Sequence, residues 1–373
     1  MKDRELYLNN AAASFPLAPG VTQAVIRSME NPPRVSGRDA LGAEDELGEC
    51  RRNLALLLEA RPEELALCSG ATAALNIAVL GLGLRPGDLV LTTVMEHNSV
   101  LRPLSRLEKT LPLRLEYIPL DDQGNLDTGV YEKLLREKPR LVALTHGSNV
   151  TGVINPVTEL FEKARDAGAR TLLDASQTAG HIPLRPAALN ADMAAFSGYK
   201  GLGGPRGTGV LYVASSIKLE SVFTGGTGLK SDSPLQPEEM PLRLEAGTPN
   251  TPGFAGLNAA IACCRGKEES IAEKEAGITR ALVEGLLSIR GVRILGRPAL
   301  PVVSFTIEGQ SCEEAGFALS EGFGISCRTG LHCAPLMHRA LGCFPGGSIR
   351  FSPSFRTSMA DIDYAVEAVR RIA

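Results

Sequence analysis

Between about residues 60 and 215, short apolar runs alternate with segments of helical period. The runs fall at 65–68, 88–92, 114–118, 141–145, 171–174, 193–196 and 209–213, and helical patterns fill 71–82, 98–109, 127–137 and 156–167. Runs of four or five apolar residues suit strands buried on both faces, and the helices between them suit crossovers, so the spacing predicts an α/β layer on a mostly parallel, seven-stranded sheet. A Gly-, Ser- and Pro-rich break at 215–252 ends the alternation. One long helical pattern follows at 252–289, with its charged stretch from Lys267 to Glu275 expected to face solvent. Short strands at 292–295, 302–307 and 324–327 and helices at 313–320, 334–341 and 360–372 predict a smaller α+β domain. We expect a large domain over 15–250 and a small one built from 1–14 and 251–373, a division that 373 residues allow.

The charge balance excludes several classes of partner. There are 39 basic and 42 acidic residues, a net charge of −3, and no block of one sign, which points away from nucleic acid and membrane surfaces. The uncharged stretch 65–84 contains Ser69, Gly70, Thr72 and Asn76 and reads as strand, turn and buried helix rather than a membrane span. The charged start, Met1 to Glu5, lacks the apolar region of a signal peptide. Eight cysteines in a long chain of this kind are expected to be reduced, and the expected location is cytoplasmic.

Lys200 follows one apolar run and opens a glycine-rich turn, and Asp174 ends another. Ligands of open α/β sheets bind outside the carboxyl ends of the strands. An acid and a lysine brought to that edge suit pyridoxal phosphate (PLP): the lysine forms a Schiff base and the acid keeps the pyridine nitrogen protonated. Taken alone, Asp174 reads as a helix cap. Gln177, three residues on, is placed to bond a cofactor oxygen. The start of the helix after Ser69-Gly70, at Ala71 and Thr72, offers free N–H groups and a hydroxyl to a phosphate, or is a plain capped helix. His97 follows a strand, where its ring can stack on a flat aromatic one. The glycines from 201 to 209 fit neither the dinucleotide fingerprint nor the P-loop, in which the lysine ends the loop.

The segment from Arg328 to Pro335 is the second strong signal. Pro335 suits the first turn of a helix, which places Cys333 at a helix start that favours a thiolate, with His332 and Arg328 beside it. The bland reading is a structural cysteine. Zinc held by Cys327, His332, Cys333, His338 and Cys343 is an alternative, but the spacing matches no zinc motif and we expect no metal. Arg350, after a short strand, offers a fork for a carboxylate.

In order, Tyr7–Ala12, Glu96–Ser99, Ser148–Gly152, Asp174–Gln177, Ser197–Gly201, Glu245–Asn250 and Arg328–Pro335 resemble the class V aminotransferase group of PLP enzymes, and most closely its cysteine desulfurases and selenocysteine lyases. The resemblance implies the fold-type I architecture. It implies that Lys200 is the Schiff-base lysine, Asp174 the pyridinium partner, His97 the stacking ring and Gln177 the ligand of the phenolic oxygen. Ala71, Thr72, Ser197 and Tyr199 then surround the phosphate, and Thr248 matches a phosphate ligand given by the second subunit of a homodimer. Asn149 lies near cofactor and substrate, Arg350 holds the substrate carboxylate, and Cys333 is the nucleophile. Tyr199 stands where relatives often carry His, and Arg356 where many carry Asn.

The implied reaction converts L-cysteine to L-alanine, with Lys200 as general base and sulfur passing to Cys333 as a persulfide and then to an acceptor protein or thiol. The alternatives are a selenocysteine lyase, another class V aminotransferase or C–S lyase in which Cys333 is incidental, and a non-catalytic scaffold.

Overall fold

The computed structural model describes residues 5–31 and 46–373. The charged start, Met1 to Arg4, lies outside the described residues. Seven strands form the large sheet: β2 (Leu65–Cys68), β3 (Leu89–Thr93), β4 (Arg114–Ile118), β5 (Leu141–Thr145), β6 (Arg170–Asp174), β7 (Met193–Ser197) and β8 (Gly209–Val213). Their order is β2-β8-β7-β6-β5-β3-β4, and β8 alone runs against its neighbours. Most of these runs are strands because they are covered on both faces: every residue of β3, β5, β7 and β8 is buried. Edge strand β4 differs, exposing Arg114 and half-exposing Glu116, charges that discourage pairing with another chain.

Helices α3 (Ala71–Gly81) and α4 (Asn98–Thr110) help cover one face, and α2 (Glu46–Leu58), α5 (Thr128–Leu135), α6 (Val157–Asp166) and α7 (Thr251–Cys264) contribute to the core of the other. A fully buried side chain such as Phe196 or Phe161 contributes about 1.5–3 kcal/mol by leaving water. The strands run into these helices at their carboxyl ends, so Thr72, His97, Asn149, Asp174 and Lys200 all lie just beyond one edge of the sheet.

The smaller layer holds an antiparallel sheet of β9 (Val292–Ile294), β10 (Val303–Ile307), β12 (Arg328–Gly330) and β13 (Ser348–Phe351) in the order β12-β13-β10-β9. Helices α8 (Glu268–Leu287), α9 (Cys312–Phe323) and α11 (Met359–Ile372) pack on it. The N-terminal strand β1 (Leu6–Tyr7) pairs with β11 (Ile325–Ser326), and the chain then crosses to the large sheet, where Ser14 Oγ donates to the Lys200 carbonyl at 2.7 Å.

Three expectations need correction. The pattern at 252–289 is two helices, because Gly266 adopts φ +75° and ends the first. The charged stretch does not all face solvent: Glu275 is buried, takes an N–H bond from Phe355 at 3.0 Å and lies 2.8 Å from His181 Nδ1. Burial opposes protonation of His181, but Glu275 outweighs it and raises its pKa. Arg350 does not follow a strand. It lies inside β13, 1% exposed, where a charge hides the strand's apolar character.

Candidate active site

One cavity of about 640 Å³, partly open to solvent, collects residues from the carboxyl ends of five strands of the large sheet. Its wall includes Ala71, Thr72, His97, Asn149, Asp174, Gln177, Ser197, Tyr199, Lys200 and Arg350, ten residues that the sequence singled out. Cys333 lines an adjoining cavity that shares Thr72, His97 and Ser99 with the first. Thr248 lies outside both and is exposed. Its segment is rooted by buried Glu245, which accepts from Leu67 N–H at 2.7 Å and pairs with Arg51 at 2.6 Å.

At one end of the cavity the α3 N-terminus meets hydroxyl groups. Ser197 Oγ accepts from Ala71 N–H at 3.0 Å, and Thr72 and Ser99 hydroxyls lie 2.7 Å apart. Gly70 and Gly209 make this turn possible, since a Cβ on Gly209 would meet the Gly70 Cα at 2.4 Å. His97 caps α4, its Nδ1 accepting from Ser99 N–H at 3.0 Å. Burial pushes its pKa down to about 4, so the ring is neutral near pH 7 and its proton sits on Nε2.

Asp174 ends β6 and is 4% exposed; Oδ1 accepts from Ser176 N–H at 2.9 Å, and Oδ2 has no partner among the described residues. Gln177 gives Nε2 to the Ala11 carbonyl at 3.1 Å, and its buried Oε1 is unpartnered. Desolvation lowers the Lys200 pKa to about 8, with Asp174 opposing the shift.

The other end is cationic. Arg328 on β12 and Arg350 on β13 are direct cross-strand partners. Like charges placed opposite one another are unfavourable, and an anion between them relieves the repulsion. Arg350 donates to the Asn149 carbonyl at 2.9 Å, but its buried Nε is unpartnered. Burial, and after it Arg328, press the Arg350 pKa down to about 9. Arg328 also approaches Cys333 Sγ at 3.5 Å.

Cys333 and His332 hold left-handed backbones, φ +59° and +49°. Each such residue costs on the order of 1 kcal/mol or more. Three anchors hold them. The Cys333 carbonyl accepts from Asn98 N–H at 2.8 Å, the His332 carbonyl accepts from Asn149 Nδ2 at 2.7 Å, and His332 Nε2 lies 3.0 Å from Ser348 Oγ. His338 meets the same hydroxyl at 3.1 Å, and His332 Nδ1 is buried and unpartnered. The following helix, α10 (Pro335–Ala340), has only six residues. The Arg328 guanidinium is therefore the main positive group facing the thiol, rather than the helix dipole on which the sequence reading relied.

Sequence reasoning missed Glu96, which precedes His97. It is wholly buried, with Oε1 accepting from Thr145 N–H at 2.9 Å and Thr93 Oγ at 2.8 Å, and with Oε2 unpartnered. Burial raises its pKa from 4.5 to about 8, so the folded protein holds it neutral at pH 7. Between those values the unfolded chain is ionised and the folded one protonated, so this group removes stability as pH rises from about 4.5 to 8. Glu96→Gln should erase that loss. Urea midpoints of variant and wild type should diverge in the variant's favour between pH 5 and 8, and parallel curves would show an ionised Glu96.

A family model described as aminotransferase class-V matches residues 6–365. A probable cysteine desulfurase from Methanothermobacter thermautotrophicus is 33% identical over 99% of this chain and 94% of its own. One from Pyrococcus abyssi is 34% identical over 96% of this chain and 92% of its own. Among solved structures, the apo cysteine desulfurase of Thermococcus onnurineus NA1 superposes with a TM-score of 0.91 at 32% identity, covering 99% of this chain and 94% of that one.

Proposed function

The chain belongs to the class-V aminotransferase family, and from that premise we propose that it is a PLP-dependent cysteine desulfurase in which the residues of the two joined cavities do the work. The observation that carries this reading is the half-buried thiol of Cys333, held beside Arg328 where the outer cavity meets the inner one.

The inner cavity suits PLP. The α3 N-terminus with the hydroxyls of Thr72 and Ser197, and Tyr199 in the wall, would hold its phosphate. The free Asp174 oxygen would pair with the pyridine nitrogen, the neutral His97 ring would stack, and Gln177 would take the phenolic oxygen. Lys200 would bind it covalently. Once bound, PLP supplies an electron sink for negative charge at the substrate Cα.

The protein's own groups do the rest. Arg350, in the wall of the inner cavity, fixes the substrate carboxylate, with Arg328 adding positive potential and the Asn149 carbonyl bracing the guanidinium. Lys200, its pKa lowered to about 8, is neutral in part near pH 7 and takes the Cα proton. Cys333 Sγ attacks the substrate sulfur. An S–S bond forms on Cys333, the substrate C–S bond breaks with its electron pair left on carbon, and protonation of that fragment gives alanine.

Exposed Thr248, on a rooted segment, supports a homodimer in which each subunit completes the other's phosphate site. Eight free thiols support a reducing, cytoplasmic setting. No helix among the described residues is long and apolar enough to cross a membrane.

Cys333→Ala tests the reading. It should lose alanine formation from L-cysteine while still taking up PLP. Equal alanine from variant and wild type would remove Cys333 from the mechanism. Loss with L-cysteine but full turnover of L-selenocysteine would mark the thiol as needed for sulfur alone.

A further inference from the structure

The outer cavity continues past Cys333 along the exposed face of α4. It encloses about 690 Å³ and is lined by Arg102 and Arg106, which also line a second open groove of about 650 Å³ together with Lys109. The three cations are exposed, fall at i, i+4 and i+7 on one helix face, and have no ion-pair partner among the described residues. The one acid on α4, Glu108, lies near Tyr117 of β4. In a chain of net charge −3, three unpaired cations leading from a reactive thiol are a local reversal of sign. α4 spans 13 residues, about 20 Å, longer than a small thiol and matched to an extended segment of protein.

We propose that Arg102, Arg106 and Lys109 dock a thiol-bearing protein segment rich in Asp and Glu, which takes the sulfur from Cys333. The proposal rests on the desulfurase reading and names the partner of that site. In the transfer, the acceptor thiolate attacks the outer sulfur of the Cys333 persulfide. A new S–S bond forms on the acceptor, the old one breaks, and Cys333 leaves as thiolate with the bonding pair, with no net oxidation or reduction.

The test uses the PLP-loaded protein and three probes: dithiothreitol and two single-cysteine peptides of equal length, one flanked by Asp and Glu, the other by Lys and Arg. Wild type should transfer sulfur to the acidic peptide at least about 10-fold faster than to the basic one at low salt. That preference should shrink as ionic strength passes about 0.15 M, where the Debye length falls to about 8 Å. The triple variant Arg102→Ser, Arg106→Ser, Lys109→Ser should lose the preference and keep its rate with dithiothreitol.

Equal transfer to both peptides by wild type overturns the proposal, as does a preference that survives in the variant. A variant that falls to a smaller assembly by light scattering also overturns it, since the stripe is then a subunit contact. Absence of alanine from wild type even with dithiothreitol would instead refute the desulfurase reading itself.

Discussion

Lys200→Ala should end turnover of L-cysteine. Removing the group proposed to take the Cα proton should cost about 10²–10⁴-fold on its own, and loss of the proposed covalent link to PLP should add to it. The visible band of the lysine-linked cofactor should be missing after reconstitution. The same change should stabilise the protein without PLP. The folded pKa of Lys200 is about 8 against 10.5 for a free lysine, so between those values the unfolded chain binds more protons. The lysine therefore weakens the fold fully below about pH 8, and the penalty fades towards 10.5. A melting temperature for Lys200→Ala above wild type at pH 7, closing by pH 10, would establish a desolvated amine. An equal gap at both values would show that packing alone had changed.

Arg350→Met should act on substrate recognition. Truncating one partner of a buried, charge-assisted contact costs roughly 2–5 kcal/mol, which corresponds to about 30- to 5,000-fold in kcat/KM. Arg350→Lys should rescue little, since an ammonium cannot reproduce the guanidinium fork. Discrimination between L-cysteine and its decarboxylated analogue should collapse in both variants while PLP uptake persists. Preserved discrimination would move carboxylate binding to Arg328.

The large sheet was legible because all its strands but the edge strand β4 are largely buried on both faces, so the predicted runs coincide with strands to within one residue at each end. Lys200, Asp174 and His97 were legible because they follow such runs, and the fold carries strand ends to one edge. The small layer was harder to read. β12 is Arg-Thr-Gly with no apolar signal, and β13 carries a buried arginine, so the pairing of Arg328 with Arg350 exists only in the register. Helical period runs on through Gly266, and only its positive φ marks the break. Glu96 looks like a surface acid beside His97. Its burial follows from Thr145 and Thr93 closing over it, a contact between β3 and β5 that no local pattern reveals. The Ser348 hydroxyl that joins His332 and His338 is equally silent, being ten and sixteen residues from its partners.

The three hydrogen bonds that anchor the His332–Cys333 turn bear on a division of labour. On the desulfurase reading proposed above, the tethered His332 and Cys333 carbonyls set where the thiol stands, so an acceptor protein would have to come to it. A blunt protein whose thiol lies flush with its surface would then be a poorer acceptor than one with a protruding cysteine. Lengthening the acceptor's loop by a residue would then change sulfur traffic as much as altering the enzyme would.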